Sequence, residues 1–184
     1  CIADVSGKGI SAALLMANFQ ASLRAWAAVE EDLTNIVDRL NQIVVKNTKG
    51  ERFITLFVAK YNEHTRKLNF INAGHNPSIL YCNGEAVPLK LGTTMIGAFD
   101  ELPFLNQGEV DVEPGSLIFN YTDGLMDYDI PTPKIWDEDK LLDFVIDNGS
   151  LSPDKFNQTL LDHLNLIIKG KPIDDITLLT IRIS

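Results

Sequence analysis

Basic residues are in short supply: 16 Lys and Arg stand against 25 Asp and Glu, for a net charge of −9. Nucleic-acid backbones are gripped by clustered Lys and Arg, so this balance argues against a nucleic-acid partner. Cysteine is scarcer still. Cys1 and Cys82 are the only two, and they match neither a zinc-ligand spacing nor the disulfide framework of a secreted module, so a reducing, cytoplasmic setting is expected. No apolar run approaches the roughly 18 residues of a membrane helix. The opening Cys1-Ile2-Ala3-Asp4 lacks the basic-then-apolar pattern of a signal peptide. No repeat, low-complexity tract or interdomain linker interrupts the 184 residues, which suit a single domain over 1–184 with a core needing no disulfide staples. A starting Met is absent as well. The expectation is a piece of a longer protein, whose other parts could tether it to a membrane.

What is present is regular patterning. Ile2-Ala3 reads as the tail of a buried strand ended by the Gly7-Lys8-Gly9 turn. Ser11 then serves as a candidate cap for a helix over Ala12 to Val29, whose apolar residues lie nearly all round and predict burial, with Leu14, Leu15 and Met16 in the core. A second helix is predicted from Asp32 or Thr34 to about Asn47, with Ile36, Val37, Leu40, Ile43 and Val44 on one face. From Arg52 the period changes. Phe53 to Tyr61 and Lys67 to Ala73 are β-rich runs joined by a hairpin over Asn62 to Arg66. Further strands are predicted at Ser78 to Tyr81, Ala86 to Leu89, Leu105 to Val112 and Ser116 to Tyr121, punctuated by Asn83-Gly84 and Pro114-Gly115. Helices over Asp137 to Asn148 and Pro153 to Lys169 follow. A last strand runs from Asp175 to Ile183, with Ile176, Leu178, Leu179 and Ile181 expected to be buried. This order is α+β, and sheets so apolar predict antiparallel sheets packed together with helices outside.

Three short acidic segments punctuate this framework: Asp4-Val5-Ser6-Gly7-Lys8-Gly9, Tyr121-Thr122-Asp123-Gly124 and Asp174-Asp175-Ile176-Thr177. Each sets a carboxylate where a strand-like run meets a turn. Carboxylates on strand ends gather hard divalent cations such as Mg2+ or Mn2+, and a pair of such ions supports phosphoryl-transfer chemistry. Taken singly, an acidic residue beside glycine is first of all a turn former; the set of three in this order points to the metal site. Asp4, Asp123 and either Asp174 or Asp175 fit that need by type and location.

The neighbours of these carboxylates carry a resemblance. Asp4-Val5-Ser6-Gly7-Lys8-Gly9 followed by Ser11-Ala12-Ala13-Leu14-Leu15-Met16 resembles the second metal motif of PPM-type metal-dependent protein serine/threonine phosphatases, in the SpoIIE/RsbU-like bacterial branch. Ala73-Gly74-His75-Asn76-Pro77, the Gly92 to Gly97 segment, Tyr121 to Leu125 and Asp174 to Thr177 are similar to that branch in the same order. The resemblance implies an αββα sandwich, two antiparallel sheets flanked by helix pairs, here missing its N-terminal strands. It implies two Mn2+ or Mg2+ ions, with Asp4 bridging both, the Val5 carbonyl adding an oxygen, Asp123 holding one ion, and Asp174 as final ligand with Asp175 as second choice. It further implies in-line attack by a metal-activated water without a phosphoenzyme. The substrate implied is phosphoserine on an anti-sigma-factor antagonist in a partner-switching pathway of sigma-factor regulation, with a sensory or regulatory module upstream. Two departures stand out. The Gly-Asp-aromatic segment that normally precedes the first motif is absent, so a ligand and the opening strands are expected to be missing, leaving a fragment that could be inactive and could dimerise through an open sheet edge. Ser6 occupies the place where eukaryotic-type relatives carry a proposed general-acid His, leaving that proton to water or substrate.

Other candidates are read more plainly. Gly7-Lys8-Gly9 lacks P-loop spacing and is taken as a close-packing turn. His75, between Ala73-Gly74 and Asn76-Pro77, is read as a loop anchor ahead of a general base; His64 and His163 are assigned to the surface. Trp136 is a candidate for packing in a variable flap over the site, and the irregular stretch Asp127 to Lys140 for a substrate-recognising or mobile loop. The alternative function, a phosphatase-like domain that binds partners without catalysis, gives no reason to keep Asp4, Asp123 and Asp174.

Overall fold

The structure, a computed structural model, describes residues 1–126, 137–167 and 175–184. Its elements are β1 (Ile2–Val5), α1 (Ile10–Ala27), α2 (Leu33–Thr48), β2 (Ile54–Asn62), β3 (Lys67–Ala73), β4 (Ser78–Cys82), β5 (Glu85–Leu89), β6 (Gly92–Thr93), β7 (Gly108–Asp111), β8 (Leu117–Tyr121), α3 (Glu138–Asn148), α4 (Pro153–Ile167) and β9 (Leu178–Arg182). They divide into two compact units, Cys1–His75 with Lys90–Asp111, and Asn76–Leu89 with Val112–Ser184. Trp136, Asp174 and most of the expected recognition loop (127–136) lie outside the described residues. No helix among the described residues is long and apolar enough to cross a membrane.

In the first unit the sheet order is β1-β2-β3-β6, with β7 also pairing β3. Every strand pairing is antiparallel except the short parallel contact of β3 with β6. Asn62 closes the β2–β3 hairpin by accepting the N–H groups of His64 and Thr65 on its side chain. Side chains alternate across a strand, so Ile54, Leu56 and Val58 of β2 share a face. They join Ile36, Val37, Leu40 and Val44 of α2 in one apolar core. Asp4, directly across from Thr55 in the register, therefore lies on the opposite face.

Two expectations for α1 are overturned. The helix begins at Ile10 on Gly9, with no capping side chain, so Ser11 is not its cap. Nor is it buried all round: Ala12, Leu15 and Phe19 are buried, while Ile10 is 82% and Leu14 66% exposed. Among the described elements it packs chiefly on α2 and β1, and Leu14 is turned about 100° from the buried Leu15. The second helix follows expectation. Asp32 caps it, accepting the Thr34 N–H at 2.8 Å and the Thr34 hydroxyl at 2.7 Å.

The Thr34 hydroxyl and then its backbone N–H hold the Asp32 carboxyl below its ordinary 3.8. A depressed carboxylate stabilises the fold above its unfolded pKa, and that contribution fades as pH falls through the lower folded value. Asp32→Ala is therefore expected to cost about 1 kcal/mol at neutral pH. Urea midpoints of variant and parent should converge well below pH 3.8; a gap that persists unchanged there would show that charge has no part in the cap.

The second unit carries the sheet β5-β4-β8-β9, antiparallel throughout. Helix α3 packs on β4 and β5, and α4 on β9. An aromatic cluster centres the core: Phe156 meets Phe119 and Phe144 edge-on at 5.1 and 5.5 Å. Asp137 caps α3 by accepting the Lys140 N–H at 2.9 Å. The last strand is shorter than expected, and Ile181 is 41% exposed instead of buried. Thr180 donates to Asn157 of α4, so residue 181 points to the other face of a strand that ends the sheet order.

Candidate functional site

Asp4 is half-buried on β1, and Val5 ends that strand opposite Ile54. Cross-strand partners on one face have Cβ atoms about 5 Å apart, which sets Thr55 beside Asp4 in the register. The Thr55 hydroxyl lies 2.9 Å from Nδ1 of His75. The His75 backbone N–H also donates to the Asn72 side chain at 2.8 Å. His75 thus anchors the end of β3 to β2, as a loop-tying role requires. Thr55 carried no signal in the sequence; only strand pairing sets it beside Asp4.

In the second unit, Asp123 opens a short 3-10 turn at the end of β8 and is exposed. Asp175 is exposed in the irregular segment that leads into β9. Thr122 joins the two. Its hydroxyl donates to the Asp175 carbonyl at 3.2 Å and accepts the Thr177 N–H at 2.9 Å, and its own N–H donates to the Thr177 carbonyl at 3.1 Å. The acidic segments around Asp123 and Asp175, about 50 residues apart in the chain, are thereby held on adjacent backbone. Tyr121, buried next to this junction, has its phenol pushed up to about 12 by burial first and then by the charge of Glu138. It remains a neutral wall of the turn at any physiological pH.

The donors on offer are carboxylate and carbonyl oxygens, the chemistry that hard divalent ions take and that soft ions do not. Among the described residues, no three His, Cys, Asp or Glu come together as a group able to hold an ion; Asp174 is outside them. The Gly7 turn is a close-packing one: a Cβ there would fall 2.1 Å from the Arg52 guanidinium.

These motifs and this fold have known counterparts. A model of the family described as Stage II sporulation protein E (SpoIIE) matches residues 1–184, the whole chain. The chain belongs to the SpoIIE family. Among curated members it is 29% identical to phosphoserine phosphatase RsbU of Bacillus subtilis, over 67% of this chain and 37% of that protein. The chain spans about a third of the length of the curated relatives it matches. Among solved structures it is similar to the SiaA-PP2C domain of Pseudomonas aeruginosa, with a TM-score of 0.82, 21% identity and coverage of 99% and 74% of the two chains. It is also similar to the catalytic domain of the serine/threonine phosphatase PstP in complex with two manganese ions, at a TM-score of 0.66 and 15% identity, covering 99% of this chain and 86% of that one. SpoIIE-family membership and the PPM phosphatase fold are therefore established, with four α-helices among the described residues and two sheets antiparallel but for the short β3–β6 contact.

Proposed function

We infer that this chain is the phosphatase domain of a metal-dependent protein serine phosphatase. The observation that carries the reading is the Thr122 junction, which holds the Asp123 and Asp175 segments side by side in a chain matched throughout by the SpoIIE family. Support for the activity comes from RsbU, named a phosphoserine phosphatase, and for the metals from PstP, whose structure holds two manganese ions. Two bound divalent ions would supply an acidified water and neutralise charge on the phosphoryl oxygens.

The chain's own contribution is to hold and aim. On this reading Asp4 and the Val5 carbonyl of the first unit, with Asp123 and Asp174 of the second and Asp175 as the second choice for the last position, would be the groups that hold the ions. Thr122 fixes the spacing of the Asp123 and Asp175 backbones. Ser6 spends its groups on structure: its N–H donates to the Phe53 carbonyl at 3.0 Å and its Oγ accepts the Phe53 N–H at 2.9 Å. A serine hydroxyl is too weak an acid to serve the leaving group near neutral pH, so that proton is left to water or to the substrate. The substrate of this reading is phosphoserine on an anti-sigma-factor antagonist, with a regulatory module elsewhere in the full-length protein.

Phosphate release from a phosphoserine protein by the natural full-length protein tests this. Release is expected to need Mn2+ or Mg2+, to stop with EDTA and to resume when Mn2+ is restored. Turnover indifferent to EDTA, or none with either metal, sinks the reading and leaves a partner-binding domain.

A further inference from the structure

Strand β1 ends at Val5, yet its pairing with the start of β2 does not stop there. Ser6 exchanges two further hydrogen bonds with Phe53, at 3.0 and 2.9 Å. The preceding residue, Arg52, then reaches over the turn. Its Nη1 donates to the Ser6 carbonyl at 2.9 Å, and its Nη2 donates to the Ser11 hydroxyl on the first turn of α1, also at 2.9 Å. One planar guanidinium thus spans both ends of the turn from Ser6 to Gly9. Gly7 makes room for it: at φ +90, a Cβ would fall 2.1 Å from Nη1. Ser11 is free for this bond because Gly9, not Ser11, occupies the cap position.

We propose that Arg52 is a positioning residue for the metal-binding end of β1, latching the turn that follows Asp4 and Val5. The inference rests on the metal reading of Asp4 above. The turn has two glycines at positive φ, Gly7 and Gly9, which are entropically costly to order. The latch removes that freedom at the point where the bridging carboxylate and the Val5 carbonyl must hold still. Lysine cannot replace it in full, because a single ammonium on a flexible stem lacks the fork that reaches two acceptors at once. Arg52 is half-buried and lines an open cavity of about 440 Å³ between α1 and the end of α2, so the latch borders solvent and is not a core contact.

The test compares wild type with Arg52→Ala, Arg52→Gln and Arg52→Lys in the natural full-length protein. Bound Mn2+ is measured by electron paramagnetic resonance, amide exchange is followed at residues 6–11, and thermal stability is recorded in parallel. Groups that orient metal ligands change affinity by about ten- to a hundredfold when removed, so Arg52→Ala should weaken Mn2+ binding by that factor. Exchange at residues 6–11 should rise, turnover at saturating Mn2+ should return to within a few-fold, and Arg52→Lys should fall between. If the alanine variant does not fold, the Gln and Lys variants carry the same comparison. Unchanged Mn2+ affinity in folded variants, beside a wild type that binds Mn2+, overturns this inference alone, whatever happens to the melting temperature. A wild type that binds no Mn2+ overturns the metal reading and this inference with it.

Discussion

Asp4→Asn is expected to leave the chain folded and to lower Mn2+-stimulated phosphate release by at least about a hundredfold. Asn matches Asp in shape, and the β1 ladder on either side, Ala3 with Leu56 and Val5 with Ile54, does not depend on the side chain. What is lost is charge at the proposed bridging position, where one carboxylate is asked to serve two cations. Asp123→Asn should behave alike, since Asp123 is exposed and its turn is closed by backbone bonds, Met126 N–H to the Asp123 carbonyl at 2.7 Å among them. The same assay separates the two candidates for the last ligand. Asp174→Asn should cost more than Asp175→Asn; the reverse order would move the assignment to Asp175. Full activity in Asp4→Asn would remove the bridging role altogether, and urea midpoints within experimental error of wild type would show that any loss is chemical.

Gly97→Ala is expected to cost about 2–5 kcal/mol of stability, the sum of a left-handed backbone penalty and overpacking. Gly97 sits at φ +89, and an added Cβ would lie 2.3 Å from Val44 Cγ1 and 2.9 Å from the Arg52 carbonyl. Val44 is in the core of the first unit, and the Arg52 carbonyl is tied back to α2 by the Thr48 hydroxyl, which donates to it at 3.3 Å. Gly97 is also clasped from the other side: its N–H donates to the side chain of Asn41 at 2.8 Å, while the Asn41 amide donates to the Phe99 carbonyl at 3.0 Å. Gly50→Ala provides the comparison, with φ +77 but nothing within 4 Å of its Cβ. It should show the backbone penalty alone, about 1 kcal/mol. Chemical denaturation of both variants checks the difference; equal costs would mean the loop around Gly97 yields freely and is not clasped as described.

Much of the fold was legible from neighbours in the chain. The strand Lys67–Ala73 appears where the alternation predicts it, and α2 buries Ile36, Val37, Leu40 and Val44 as its three-and-four spacing requires. These signals are local, because a helix or strand face is written within a few turns of chain. The failures have a common cause. Leu14 and Ile181 are as apolar as their buried neighbours, so composition could not show that one side of α1 and one face of β9 stay open. Asn41 is fully buried, at 0% exposure, on a face read only for its apolar residues. Nothing near it in sequence announces partners at Gly97 and Phe99.

The candidate site divides along the same line. The sequence by itself determined which carboxylates are available, Asp4, Asp123, Asp174 and Asp175, because the turn and strand signals around each are short and self-contained. It also determined the family, since the motifs recur in one order over the whole chain. Only the tertiary structure decided what ties the backbone beside Asp4, Asp123 and Asp175, and what clasps the Gly97 loop. Thr122 bonds to Asp175 across 53 residues, Arg52 to Ser6 across 46, and Asn41 to Gly97 across 56. Such bonds depend on sheet register and on helices laid against sheets, and register is a property of paired strands, not of either strand alone.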